Sequence, residues 1–573
     1  MGEYHVDHVV EARDYADRVV AGLVPACKWV RAACQRFIDD LAAAEGGESQ
    51  WEFRPELASR ACSFVQLLRH VKGKWAGQRI TLEAWQKFIL ANVFGWVSRE
   101  TGLRRFRTVY LEVPRKNAKT TLLGGIGLYM LVADGEFGAE VYSAATTEDQ
   151  AAIVFEIAQQ MARIDGEFRG RFGVEVLTSA LLVKETASKM TPLSGKGTTL
   201  DGLNVSCALI DELHAHKTAT VHDVLDSGTG ARAQPLLVKI TTAGSNRAGV
   251  CYDQRDYLSK ILNDTLRRHG GMGCRVEGSA AADDRTFGVI YTIDDGDDPF
   301  DEATWRKANP NFGVSVDVDD LRAKAAVARM QAARLSEFLT KHLNVWVNAD
   351  SAWMNMAAWD ACGNRDLRRE DLAGKQAFVT LDAAFKKDLF AKIVTVPDGK
   401  RVKVFSQCYC SEAFLERKGM EQLRGWVNEG WIKTTPGEVL DIEIVRQDLR
   451  ADLAHFDVVE VGFDPWALSQ FAGEMMAEGA PMVEVRANVQ NFSEPMKRLD
   501  ELVSARQLEH QADPALAWMI SNVVCHRDVK DNIYPRKERE ESKIDAAVGL
   551  IMAIGRAFAP QEDEGVPGVW VIG

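Results

Sequence analysis

The chain has 573 residues, 46% of them hydrophobic and 26% charged, a length beyond the reach of one hydrophobic core and a composition unlike a disordered or fibrous protein. Its formal net charge of −13 argues against a histone-like coat on DNA, while leaving room for an enzyme that gathers its basic residues in one groove. Ten cysteines are scattered, the closest pair, Cys408 and Cys410, having one residue between them; that spacing suits reduced thiols rather than a zinc knuckle, and no apolar run long enough to span a membrane is expected.

Residues 1–75 place Tyr15, Val19, Val20, Leu23, Trp29, Phe37, Phe64, Leu67 and Leu68 at helical spacing, which predicts a helical N-terminal region interrupted by a turn at 45–49. From 76 to 350 the pattern changes to β-branched runs at 108–113, 139–145, 205–210 and 236–242 separated by helical segments, which predicts a mostly parallel α/β sheet. Early in this block Gln86 follows Trp85; its carboxamide could read both edges of an adenine, and a core helix with one polar residue is the alternative.

The segment Val113-Pro114-Arg115-Lys116-Asn117-Ala118-Lys119-Thr120-Thr121 follows a predicted strand and opens an apolar helix. A phosphate-binding loop needs that setting: backbone N–H groups and a helix N-terminus face the phosphates, a lysine reaches the β and γ positions, and a hydroxyl holds magnesium. Lys119 and Thr120 fit the last two roles. Val113 and Ala118 stand where the usual loop has glycine, and a basic strand-to-helix turn is the alternative. Roughly 90 residues on, the apolar run 207–210 ends in Asp211-Glu212. Two adjacent carboxylates at the tip of a buried strand are costly without a metal or proton to manage them. In a phosphate-loop ATPase the aspartate serves the magnesium shell and the glutamate the attacking water. A third strand ends in Thr241-Thr242-Ala243-Gly244, small residues able to sense the γ-phosphate or simply to turn. A charged helical stretch over 317–343 then leads toward a linker at 351–376.

The last block, 377–558, has strand-like runs at 378–381, 402–405 and 458–463 and a closing helix over 544–558, compatible with an RNase H-like sheet; 559–573 reads as a flexible tail. Asp382, Asp464 and Asp545 fall at strand ends or on the final helix. Two hard cations need several carboxylates converging from neighbouring strands and one helix, although each aspartate alone reads as a turn or cap residue. Lys537 could touch a scissile phosphate or belong to the solvated charge run 536–541. Arg104-Arg105, Lys386-Lys387 and Lys497-Arg498 could contribute phosphate contacts.

These motifs together resemble the large terminase subunit of tailed bacteriophages, in particular the HK97-like group, over about residues 76–558. The resemblance rests on Leu82 to Gln86 before Phe94-Gly95-Trp96, on the loop 114–120, on Tyr142-Ser143-Ala144-Ala145 with Glu148-Asp149-Gln150-Ala151, on Ile210-Asp211-Glu212, on Gln234-Pro235 and on Ile240 to Gly244. It implies that Gln86 reads adenine, that Arg115, Lys116, Asn117, Ala118, Lys119 and Thr120 form the nucleotide loop, that Asp211 and Glu212 are the Walker B pair, and that Thr241, Thr242 and Gly244 couple hydrolysis to movement. Arg232 is an arginine-finger candidate reaching a neighbouring subunit. The family pattern also matches Asp382, Phe463-Asp464-Pro465 and Lys543-Ile544-Asp545, with Asp388 as a fourth ligand.

The expected fold is therefore a phosphate-loop ATPase domain followed by an RNase H-like nuclease domain. The implied activity is ATP-driven translocation of double-stranded DNA into a procapsid, with endonucleolytic cutting of concatemeric genomes. ATP with Mg2+ is the implied motor ligand, and two Mg2+ or Mn2+ ions the nuclease pair. Implied partners are DNA, a terminase small subunit and a capsid portal on which a homo-oligomeric ring docks, in the host cytoplasm and outside the mature virion. An ATP-dependent helicase or remodeller carrying a nuclease, and a structural adaptor with a degenerate ATP site, are the alternatives.

Overall fold

The computed structural model describes residues 7–145, 148–194, 202–216, 218–247, 249–269, 283–347, 353–383, 389–417, 420, 423–527, 532–537 and 541–559. Two compact units emerge: Met1–Met330 with Glu337–Val347, and Gln331–Ser336 with Asn348–Gly573.

The first unit opens with α1 (Asp7–Val20) and α2 (Lys28–Glu45), a short strand β1 (Trp51–Phe53), α3 (Pro55–Leu67) and α4 (Ala84–Gly95), which runs into β2 (Trp96–Ser98). β1 pairs antiparallel with β2, so one short strand interrupts the helical N-terminal region. Tyr15, Phe37 and Phe64 share one hydrophobic core with the strands downstream, and Phe88 packs against both Tyr15 and Phe37. The N-terminal helices therefore extend the core of the sheet.

That sheet is built from β3 (Thr108–Glu112), β4 (Glu140–Ala145), β5 (Val174–Val176), β6 (Leu181–Val183), β7 (Ser188–Ser194), β8 (Cys207–Asp211), β9 (Leu236–Thr241) and β10 (Thr286–Ile290). Its order is β10-β3-β9-β8-β4-β7-β6-β5; the pairs from β10 to β7 are parallel and the two at the β5 edge antiparallel. β8 and β9 are buried at every position, as strands covered on both faces must be. The helices α5 (Lys119–Val132), α6 (Glu148–Ile164), α7 (Gly166–Phe172), α8 (Thr220–Ser227) and α9 (Val250–His269) connect these strands. Gly127 lets α5 lie close to the sheet, since a Cβ there would stand 2.9 Å from Leu209. After β10 come α10 (Glu302–Ala308), α11 (Val318–Met330) and α12 (Ala332–His342).

In the second unit, residues 353–376 do not form the expected linker: α13 (Met356–Asp360) and its surroundings bury Trp359, Leu367 and Leu372 in the local core. The sheet comprises β11 (Gln376–Asp382), β12 (Phe390–Asp398), β13 (Arg401–Ser411), β14 (Ile432–Thr435), β15 (Asp457–Phe463), β16 (Met482–Glu484) and β17 (Leu508–His510). In the order β14-β13-β12-β11-β15-β16, β11, β12 and β13 are antiparallel neighbours, while β15 and β16 run parallel to β11. This is the RNase H-like arrangement. The helices α14 (Glu412–Leu415), α15 (Leu423–Asn428), α16 (Glu443–His455), α17 (Pro465–Ala477), α18 (Val489–Ser504) and α19 (Pro514–Ser521) accompany it, followed by the antiparallel pair β18 (Val523–Arg527) and β19 (Ile533–Lys537) and the closing α20 (Asp545–Ala557). Thr380 on β11 donates to Gly549 O at 2.7 Å, pinning α20 to the sheet. The expected tail falls almost wholly outside the described residues.

Candidate functional site

The loop between β3 and α5 is short and conformationally demanding. Lys116 and Ala118 take φ values of 69° and 56°, left-handed backbone that costs an L-residue of order 1 kcal/mol each. Ala118 is the N-cap of α5 and supplies no side-chain cap, so the first N–H groups of that helix have no side-chain acceptor there, as an anion-binding helix start requires. Lys119 is buried and spans the loop, its Nζ donating to Val113 O at 3.0 Å and lying 3.9 Å from Glu212 Oε1. Arg115 and Lys116 are exposed and Thr120 is half-buried.

Asn117 turns inward. Its Nδ2 donates to Pro114 O, Arg115 O and Asn309 Oδ1, and its Oδ1 accepts from Asn311 N at 3.0 Å. Ser315 adds a hydrogen bond to Lys116 O. The loop is thus braced by the segment after α10. Gln86 Oε1 accepts from Glu83 N at 3.0 Å in a capping box that starts α4, and the neighbouring Trp85 Nε1 donates to Asn311 Oδ1.

Asp211 and Glu212 stand at the tip of β8, in parallel register with the end of β9, so the carboxylates adjoin the Thr241-Thr242-Ala243-Gly244 turn. Burial, followed by the Glu212 charge, lifts Asp211 to about 6. An unneutralised buried carboxylate gains most from a bound cation. Burial also raises Glu212, but His214 at 3.2 Å from its Oε2 and the charges of Lys119 and Lys341 outweigh it and bring Glu212 to about 2. Glu212 Oε2 is buried, and the nitrogen that faces it is His214 Nδ1. Thr241 and Thr242 are fully buried; Thr241 Oγ1 accepts from His214 N at 3.0 Å, and a Cβ on Gly244 would meet His214 at 3.2 Å.

His214, Asn309, Asn311, Lys341 and Asn344 all reach this site and were not among the expected residues. Lys341 and Asn344 contact it from about 100 or more positions away in sequence, and a lysine in a charged helix carries no signal of that. Arg232, the arginine-finger candidate, donates to Asn204 O, Phe137 O and Gly138 O and faces Glu136. One expectation is corrected. Arg104 and Arg105 do not offer charge to DNA; both are buried, paired with Asp134 and with Asp40 and Asp284.

In the second unit the register pairs Leu381 with Phe463 on parallel neighbours, so Asp382 and Asp464 follow side by side at the ends of β11 and β15. Asp464 caps α17 by accepting from Trp466 N at 3.1 Å, which fixes its carboxylate. Asp382, Ala391 and Cys408 lie in line across three strands. Burial, then the charges of Asp513 and Asp545, push the Cys408 thiol up; Asp545 is the first residue of α20, the helix that Thr380 of β11 holds through Gly549 O. Burial and then Asp464 and Asp382 push up Tyr534 on β19, whose strand ends in the exposed Lys537. Hard carboxylate oxygens fit Mg2+ or Mn2+ rather than a thiophilic metal. Among the described residues no three such side chains already form a metal-holding group; Asp388 and Lys386-Lys387 lie outside them. Lys497 and Arg498 are partly exposed, each beside a glutamate.

The class this fold and these sites define is a phosphate-loop NTPase joined in one chain to an RNase H-like nuclease. Residues 84–260 match the family model described as terminase large subunit, ATPase domain, and residues 280–561 the one described as terminase large subunit, endonuclease domain. The chain is 34% identical over 378 residues to Protein YmfN of Escherichia coli K12, covering 64% of this chain and 80% of that one. It is 25% identical over 518 residues to the terminase large subunit of Enterobacteria phage HK97, covering 88% and 96%. The crystal structure of the HK97 bacteriophage large terminase aligns at 24% identity over 87% of this chain and 99% of that one, with a TM-score of 0.41. The chain belongs to the terminase large-subunit family and carries its ATPase and endonuclease domains. The match to the endonuclease model begins at residue 280, although β10 to α11 and Glu337–Val347 fold with the first unit.

Proposed function

We propose that this chain moves double-stranded DNA into a procapsid by ATP hydrolysis and cuts concatemeric genomes at a separate metal-dependent site. The observation that carries the motor half is Lys119 facing Glu212 at 3.9 Å behind the open start of α5. In this reading the N–H groups of the loop and Lys119 hold the β- and γ-phosphates, with Arg115 and Lys116 offering charge at its rim and Gln86 serving the adenine. Thr120 and Asp211 would hold Mg2+, and Glu212 takes the proton of the attacking water. Thr241, Thr242 and Gly244 pass the loss of the γ-phosphate onward.

For the nuclease half, Asp382, Asp464, Asp545 and Asp388 would hold two divalent ions, which would supply Lewis-acid activation of water and charge stabilisation at the leaving 3′ oxygen. The carboxylates fix the scissile phosphate's surroundings, and Lys537 contributes a positive charge nearby. DNA is held by its phosphates, so translocation is indifferent to sequence and weakens with salt. A small subunit and a portal ring are the partners this reading requires, in the host cytoplasm; among the described residues no helix is long and apolar enough to cross a membrane.

Supercoiled plasmid incubated with the purified protein and Mg2+ or Mn2+, beside an ATPase assay, tests both halves. Asp382→Ala should lose cutting by more than about 1,000-fold while hydrolysing ATP. Lys119→Ala should cut and hydrolyse none. A folded wild type that cuts with neither ion removes the nuclease half, and ATP turnover surviving in Lys119→Ala removes the motor half.

A further inference from the structure

Lys341, in the last turn of α12, sits against the candidate ATP site. Its Nζ lies 2.8 Å from His214 Nε2 and 3.5 Å from both Thr242 Oγ1 and Ala243 O. Its carbonyl accepts from Arg115 N of the nucleotide loop at 2.8 Å. Three residues on, Asn344 accepts from Ala243 N at 2.9 Å. One short segment therefore touches the loop, the coupling turn and the histidine beside Glu212.

The hydrogen bonds around His214 leave one consistent proton arrangement. A lysine ammonium has only donors, so Nε2 of the ring accepts. Burial keeps the imidazole below its ordinary pKa, and the neutral ring then carries its proton on Nδ1. The other side agrees: Thr241 spends its single hydroxyl hydrogen on Thr242 O at 2.8 Å, so Thr241 Oγ1, 3.0 Å from Nδ1, accepts from it. The same N–H edge lies 3.2 Å from Glu212 Oε2. In the opposite tautomer a nitrogen lone pair would face both the Glu212 carboxylate and Thr241 Oγ1, and that edge would repel the carboxylate instead of holding it. Which ring nitrogen bears the proton is set by the partner of the other nitrogen.

We propose that Lys341 is a positioning residue for ATP hydrolysis, acting through His214: it locks the ring with Nδ1–H toward Thr241 and Glu212 and so orients the carboxylate that serves the attacking water. The inference rests on the reading of Lys119 and Glu212 as ATPase residues. Lys341 touches no reacting atom in this role, and its loss is felt in turnover rather than in nucleotide affinity.

ATP hydrolysis by the full chain tests it. Lys341→Met should lower kcat by about 10–100-fold, the scale of an orienting partner's loss, with KM for ATP and the melting temperature near wild type. Lys341→Arg, also donor-only, should restore most of the rate. His214→Asn, whose amide N–H stands near the position of Nδ1–H, should retain more activity than Lys341→Met and lose little more when Lys341→Met is added. Histidine 15N shifts should report Nδ1–H at His214 in the wild type and Nε2–H in Lys341→Met. Wild-type kcat in Lys341→Met beside an inactive Lys119→Ala overturns the proposal alone, as does an Nε2–H ring in the wild type. Hydrolysis persisting in Lys119→Ala overturns the ATP site and this proposal with it.

Discussion

Ala118 occupies the left-handed region at φ 56°, which glycine adopts without steric cost, and its Cβ strains the backbone without giving α5 a side-chain cap. Replacing it with glycine relieves that strain and returns part of the gain as extra freedom in the unfolded chain. Ala118→Gly should raise stability by about 0.5–1 kcal/mol in denaturant titration and keep ATP turnover. A destabilised variant would mean that the alanine methyl is supported by packing. At this scale the sequence speaks clearly where chemistry is concentrated: Lys119, Asp211 and Glu212 are legible because charge at the tip of an apolar strand has few other uses. It is silent on Asn117, whose amide reads as a loop contact to nucleotide but is turned to Asn309 and Asn311.

Among elements, buried parallel strands such as β8 and β9 are legible as apolar runs, and the antiparallel β12 is absent from the sequence reading for a physical reason. Lys392 lies within it and suggests a solvated face, yet its side chain is buried and paired with Asp452, which Arg369 also neutralises. β14, β16 and β17 span three or four residues, too few for a period of two to register. The start of α19 offers a test of pH dependence. Asp513 caps this helix by accepting from Ala515 N at 2.8 Å, and burial, only partly offset by hydrogen bonds from Ser406 and the helix N–H groups, raises it from 3.8 to about 6. Between about pH 4 and 6 the folded state binds more protons than the unfolded one, so this group's contribution to stability is lost as pH rises through that window. Asp513→Asn keeps an oxygen for the cap and should flatten the dependence there, with a gain at pH 7 of at most about 3 kcal/mol. Parallel pH–stability curves for variant and wild type would refute this.

For the molecule as a whole, the order of two α/β blocks is legible in sequence, while the place where one ends is not. The helical charged stretch reads as a bridge, but Glu337–Val347 folds back into the first unit and brings Lys341 to the loop before α5 and Asn344 to the turn that follows β9. A fragment ending at Met330 should therefore be less stable than one ending at Val347 and hydrolyse ATP at least about 10-fold more slowly; equal rates would show the returning segment to be dispensable. That return also bears on inheritance. An exchange of nuclease domains between related chains should leave the ATPase whole only when the crossover falls beyond Val347, so the boundary such an exchange should respect lies downstream of the point where the charged helices first suggest a seam.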